Sequence, residues 1–253
     1  MILFFVIVFG LMIGSFINVC IYRLPRNESI VHPRSHCPSC NHQLKFWENI
    51  PVLSFLFLRG KCSHCKASIS YRYITVELLT AILYVLLYYH YGLTLAYLMS
   101  IFFISVILVI TFIDIDHQII PNQLLIIGII PALYPLVEGG IENSIPFIVG
   151  AISLGVGIFL IGMLGNIVFR KESLGMGDVK YAALIGLLLG WKNGLVAISL
   201  AFLFASLLIL ILFPLGKVSF GNRIPFGPFL SLGTTVAMLW GPIIIKTYLQ
   251  LVF

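Results

Sequence analysis

Two aspartates close long apolar runs. Asp114 lies in Phe112-Ile113-Asp114-Ile115-Asp116-His117-Gln118-Ile119-Ile120-Pro121-Asn122, and Asp178 ends Gly175-Met176-Gly177-Asp178. A carboxylate at a membrane boundary is costly to keep and marks a functional site by default. Brought together, two carboxylates cannot both ionise cheaply, so they hold one proton between them. The ionised partner can take a proton from water. The neutral partner can polarise an amide carbonyl and later protonate the leaving nitrogen. This is aspartic-protease logic and needs no metal. Gly175 and Gly177 leave open space beside the carboxylate, where a substrate backbone or another helix could approach. Asp116 is the rival of Asp114, since two residues along a helix it faces roughly the opposite side. His117 reads as a solvated interfacial histidine. The plain structural alternative makes both acids helix-end residues, with Asp178 capping the helix it begins.

A second constellation is Cys37-Pro38-Ser39-Cys40 with Cys62-Ser63-His64-Cys65. Two C-x-x-C knuckles at this separation suit a four-thiolate zinc site. The polar segment that carries them is too short to bury much core, so a metal staple supplies stability. Disulfides are disfavoured on a reducing face. His36, His42 and His64 read as solvated residues or alternate ligands, and Cys20 as a packing residue in an apolar run. Glu77, in Val76-Glu77-Leu78-Leu79, is an acid inside an apolar stretch. It calls for a partner such as Arg72 or Arg23, or for a role with substrate. Asn18 is also polar within an apolar run and reads as a helix–helix hydrogen-bonding residue.

The elements that position these residues follow from composition. The 253 residues are 60% hydrophobic and 9% charged, with a mean hydropathy of +1.09. A soluble domain carries about 25% charge, so this is an all-α polytopic membrane protein. A span needs roughly 20 apolar residues. Eight transmembrane helices are expected, near 1–22, 73–91, 95–113, 122–138, 145–168, 179–191, 194–215 and 226–250. Residues 1–22 lack a basic n-region and a small-x-small cleavage site, and read as a retained span. A small zinc-binding loop, 23–72, follows the first helix, and 95–250 forms a membrane-embedded domain.

The 15 Lys and Arg orient the chain. With the N-terminus outside and the 23–72 loop inside, all but Lys192 and Lys246 fall on the cytoplasmic side. Among the inside residues are Arg170, Lys171, Lys180, Lys217 and Arg223. The positive-inside rule requires this asymmetry. The net charge of +6 therefore reports topology and not nucleic-acid binding. Asp114 and Asp178 then both lie at the cytoplasmic end of a span.

Together these residues resemble the type IV prepilin peptidases. The resemblance rests on Gly14-Ser15-Phe16-Ile17-Asn18-Val19 with Tyr22-Arg23-Leu24-Pro25, the two cysteine knuckles, and Val76-Glu77-Leu78-Leu79. It continues through Asp114 with Ile120-Pro121-Asn122, Gly175-Met176-Gly177-Asp178 with Lys180, and Pro225-Phe226-Gly227-Pro228. These pieces occur in the family's order over about residues 10–230. The resemblance implies an aspartic peptidase of the bacterial cytoplasmic (inner) membrane. Such an enzyme cleaves the short basic leader from prepilins and pseudopilins at the cytoplasmic face. It then methylates the new N-terminus with S-adenosylmethionine. Asp114, set before Ile-Pro, and Asp178 match the family's catalytic pair. Cys37, Cys40, Cys62 and Cys65 match its zinc ligands. The methyltransferase association belongs to the N-terminal half, to about residue 92. No Gly-x-Gly-x-x-Gly after a strand marks a cofactor site there, and Glu77 is the candidate residue. Two other readings are an aspartic protease cutting within spans and a proton-coupled transporter. Internal repeats would favour the transporter, and none is visible.

Overall fold

The structure, a computed structural model, describes residues 1–170, 174–216 and 224–252. Lys171, Lys217 and Arg223, used above for orientation, lie outside the described residues. The main elements are α1 (Ile2–Arg23), α2 (Leu53–Phe57), α3 (Arg72–Tyr91), α4 (Leu95–His117), α5 (Asn122–Ala132), α6 (Tyr134–Phe169), α7 (Met176–Leu212) and α8 (Gly227–Val252). Among the described residues no strand forms. Two isolated bridges, His36–Gln43 and Lys61–Ser68, close the cysteine knuckles.

Seven helices among the described residues are long and apolar enough to span a membrane. One of them, α7, is not a single rod. Gly190 has φ 72° and ψ 173°, a left-handed region that glycine reaches at little steric cost. The chain reverses there. A Cβ on Gly194 would lie 3.6 Å from Gly186 Cα, whereas an unbroken helix would separate positions eight apart by about 12 Å. Thus α7 is a helical hairpin whose two arms, 176–190 and 191–212, correspond to the sixth and seventh expected spans. The expected loop at 191–194 is itself helical, because one glycine makes the whole turn. A similar break at Gly140 (φ 70°) divides α6. There Ser144 Oγ donates to Leu136 O at 3.4 Å and to Gly140 O at 2.8 Å. Helix α4 runs to His117, past the expected end near residue 113, so Asp114 lies within its last turn. The helical ladder continues because Gln118 N–H donates to Asp114 O at 2.9 Å.

The chain forms two compact units, Met1–Val109 and Ile110–Phe253. In the first, α1 packs on α3 through small residues. A Cβ on Gly10 would lie 2.7 Å from Ala81 Cα, and one on Gly14 2.6 Å from Glu77 Cα. Close backbone approach of this kind drives helix pairing in membranes. Asn18 Nδ2 ties the same pair by donating to Tyr73 O at 3.0 Å, the helix–helix role expected of it. Tyr84 OH and Ser105 Oγ, 2.7 Å apart, join α3 to α4. In the second unit, Gly150 of α6 and Gly186 of α7 leave no room for a side chain on either. Gly233 of α8 rests on Ala197 and Ala201 of α7.

Candidate active site and metal centre

In the second unit, the ends of α4, α7 and α8 meet around the two aspartates. Asp114 is buried, with 5% of its surface exposed. Its Oδ2 accepts the Gly227 N–H at 2.8 Å. That donor is free of an intrahelical partner because it sits at the N-terminus of α8, where the helix dipole favours negative charge. Gly227 belongs to Pro225-Phe226-Gly227-Pro228, and a Cβ there would lie 2.8 Å from Asp114 Oδ2 and 3.2 Å from its Cγ. Only a residue without a side chain lets this backbone reach the carboxylate.

Asp178 stands at the start of α7 and is partly buried. Its Oδ2 accepts the Gly175 N–H at 3.3 Å, and its own N–H donates to Gly175 O at 3.1 Å. This is the local capping anticipated for it, yet its surroundings go further. Asp114 is close enough for its charge to act on Asp178. Gly177 lets Ile120 come near, since a Cβ at 177 would lie 3.0 Å from Ile120 Cβ. Lys180 Nζ donates to Asn122 Oδ1 at 2.9 Å, tying the start of α7 to the start of α5. One turn deeper, the fully buried Tyr181 hydroxyl meets Ser231 Oγ at 2.8 Å, and Ser231 Oγ donates to Gly227 O at 2.9 Å. Asp116 and His117 are exposed. Of the two rival acids, Asp114 is the buried one.

Sequence reasoning had assigned no role to Gly227, Tyr181 or Ser231. The Pro-Phe-Gly-Pro motif marked Gly227 only as part of a resemblance. Tyr181 and Ser231 look like ordinary residues of apolar helices.

In the first unit, Cys37, Cys40, Cys62 and Cys65 converge, with all four Sγ atoms within 4.8 Å of one another. The Cys37 and Cys65 sulfurs are 3.8 Å apart, far beyond a disulfide bond of about 2.05 Å. Four sulfurs at about 2.3 Å from a tetrahedral zinc would sit about 3.8 Å from one another, so the cluster could hold such a metal ion. The two knuckles are built alike. Cys37 N–H donates to His42 O and Cys62 N–H to Ala67 O, each at 2.9 Å. Asn41 and Lys66 take the matching left-handed conformation, with φ 57° and 62°.

The thiols are electrostatically linked. Backbone N–H groups of Cys65 and His64 point at Cys62 and pull its thiol down to about 6. Cys40 receives the His42 N–H, but desolvation and the neighbouring thiols Cys65, Cys37 and Cys62 outweigh it and push Cys40 up to about 12. A second negative charge is thus resisted until a cation arrives. Among the described residues the donor set is the four thiols. His42 instead stacks on His64, 5.2 Å between ring centres, and lies 3.4 Å from Glu48 Oε2. Ser63 and the Lys45 N–H hold the Glu48 carboxyl below the usual range.

Glu77 is buried, and its Oε2 accepts the Val52 N–H at 2.7 Å. Arg23, one partner expected for it, turns elsewhere. Its guanidinium donates to Ser29 O at 2.8 Å and Pro33 O at 2.7 Å. Two loop carbonyls near the chain's own turn satisfy that fork more directly than a carboxylate deeper along α3.

Comparison with known proteins follows this division. Residues 8–91 match the bacterial peptidase A24 N-terminal domain, and residues 101–213 match the type IV leader peptidase family. A prepilin leader peptidase/N-methyltransferase of Pseudomonas aeruginosa is 34% identical, over 96% of this chain and 92% of its own length. One from Aeromonas hydrophila is 35% identical, also over 96% and 92%. Another from Myxococcus xanthus is 37% identical over 74% of this chain and 56% of its own length. No solved structure matches.

Proposed function

We propose, for a chain that belongs to the type IV leader peptidase family, that it removes the short basic leader of prepilins and pseudopilins and then methylates the exposed amine. Asp114 and Asp178 carry the hydrolysis. The observation that supports this most is the burial of Asp114 at the end of α4, where the Gly227 N–H at the head of α8 holds its carboxylate at 2.8 Å. The Gly227 N–H holds one Asp114 oxygen, leaving the other to face water or substrate. One carboxylate takes a proton from water as it attacks the scissile carbonyl. The other, protonated, hydrogen-bonds the carbonyl oxygen and then supplies a proton to the leaving nitrogen. Gly175, beside the Asp178 carboxylate, gives the extended leader backbone access to this point, while Ile120 takes the space at Gly177. Zinc held by Cys37, Cys40, Cys62 and Cys65 is structural and braces the 23–72 loop. S-adenosylmethionine supplies the methyl group when bound, in the half ending near residue 92, while 95–250 is the peptidase half.

The long apolar helices and the family place the protein in the inner membrane. The charge distribution supports an outside N-terminus with the zinc loop and both aspartates on the cytoplasmic side. The test is co-expression with a prepilin. Asp114→Asn and Asp178→Asn should each abolish cleavage while the protein stays in the membrane, and Asp116→Asn should retain it. Retained cleavage in Asp114→Asn with loss in Asp116→Asn would reassign the pair.

A further inference from the structure

The cysteine loop turns an apolar face outward. In α2, Leu53, Leu56 and Phe57 stand at i, i+3 and i+4, one side of a helix. All three are exposed, Phe57 at 83%. Ser54 and Phe55 face the other way and are half-buried, and Phe55 packs on Tyr71 with ring centres 5.5 Å apart. The short 3₁₀ turn Phe46–Asn49, which packs against α2, adds Phe46, 84% exposed, and the exposed Trp47. Single apolar residues on a surface need no explanation, but a group of them rimmed by charge marks an interaction site.

Charge and position point to what covers this face. Residues 23–72 carry eight Lys and Arg against two acids, Glu28 and Glu48, so the whole chain's net charge of +6 resides on this loop. Lys45, Arg59, Lys61 and Lys66 are exposed, and among the described residues they form no ion pair. Lys45 Nζ lies over the Trp47 ring at 5.3 Å, a cation beside an amphipathic aromatic of the kind that sits at headgroup level. The loop is also held at the membrane boundary. It follows α1, which ends at Arg23, and leads into α3 at Arg72, and both helices are candidate spans. The N–H of Val52, which precedes α2, donates to Glu77 at 2.7 Å. Glu77 lies five residues past Arg72, about 7.5 Å along the axis of α3. We propose that the 23–72 loop is seated on the bilayer, with Phe46, Trp47, Leu53, Leu56 and Phe57 inserted at the headgroup boundary and its Lys and Arg on the phosphates of anionic lipid. Apolar insertion sets the depth of the seat, and the basic residues select the lipid.

The experiment reconstitutes the full, zinc-loaded chain into nanodiscs of phosphatidylcholine, with or without phosphatidylglycerol. Each disc contains a phospholipid whose acyl chain bears a diazirine near the glycerol. After irradiation, peptide mass spectrometry of the wild type should find label within 46–57. The yield should be at least about fivefold higher with phosphatidylglycerol, the factor for one basic residue at an anionic surface. The double variant Trp47→Ser/Phe57→Ser should lose most of that label while keeping its melting temperature and zinc content, since both side chains are exposed. Label confined to the spans, or undiminished in the folded double variant, overturns the seat. Equal label in the two lipids overturns the anionic-lipid assignment. Loss of the lipid label on adding purified prepilin gives the face to a protein and overturns the proposal as well. Both leaflets of a nanodisc hold the same lipid, so failure here leaves the orientation given under the proposed function untouched.

Discussion

Replacing Gly227 with alanine isolates the contact that sets the Asp114 carboxylate. The new Cβ would lie 2.8 Å from Oδ2, 3.2 Å from Cγ and 3.3 Å from Cβ of Asp114. Such a short approach to three atoms of one side chain cannot be relieved by turning only its tip. Either Asp114 swings away or the start of α8 withdraws, and both break the 2.8 Å bond from the Gly227 N–H. A hydrogen bond to a charged, buried acceptor is worth about 1.5–3 kcal/mol. At about 1.36 kcal/mol per factor of ten, kcat/KM for prepilin cleavage should fall by roughly 10- to 150-fold. The assay is cleavage of a purified prepilin by detergent-solubilised enzyme, followed by gel mobility, with a melting curve to confirm folding. Gly157→Ala is the control, since a Cβ there meets nothing within 4 Å. A folded Gly227→Ala enzyme within twofold of wild type would refute the idea that this backbone positions Asp114.

Removing zinc with a strong chelator, or substituting Cys62→Ser, should lower the melting temperature of the 23–72 loop; elemental analysis should find one zinc per wild-type chain and none in the variant. A Gly186→Leu side chain would be driven into the Gly150 backbone, so overpacking should cost more than about 3 kcal/mol and folded protein should disappear from size-exclusion profiles in detergent. Glu48, whose carboxyl is held low chiefly by Ser63 and the Lys45 N–H, should stabilise the loop above the ordinary carboxylate pKa of about 4.3 and lose that contribution as pH falls through its own lower value. The melting difference between wild type and Glu48→Gln should accordingly be present at neutral pH and vanish in acid; a constant difference would contradict this.

Much of the molecule was legible along the chain because it is written in runs and spacings. Length and apolarity announce spans, since the bilayer sets the number of residues needed to cross it. The C-x-x-C pairs announce a four-thiolate cluster because each knuckle folds locally, by hydrogen bonds between near neighbours in the chain such as Cys37 N–H to His42 O. The Gly-x-Gly-Asp cap is local in the same way. The hairpin at Gly190 was visible only as a short, glycine-punctuated span, because the left-handed φ that turns the chain leaves no mark other than the glycine itself. Helix α4 ran past its expected end and α7 began before its expected start, since hydropathy falls before helical hydrogen bonding does.

What the sequence by itself determined was the class of protein, its run of apolar spans, the thiol cluster and a short set of acids with Asp114 and Asp116 as rivals. The tertiary structure decided that Asp114 and not Asp116 is buried, which backbone N–H holds it, and that Glu77 turns to the Val52 N–H. The Asp114–Gly227 bond joins residues 113 positions apart, and Asn18 meets Tyr73 across 55. No periodicity or spacing encodes such pairings. They arise when helices pack at their small residues, and only then does a glycine at the head of α8 become the group that aims a carboxylate.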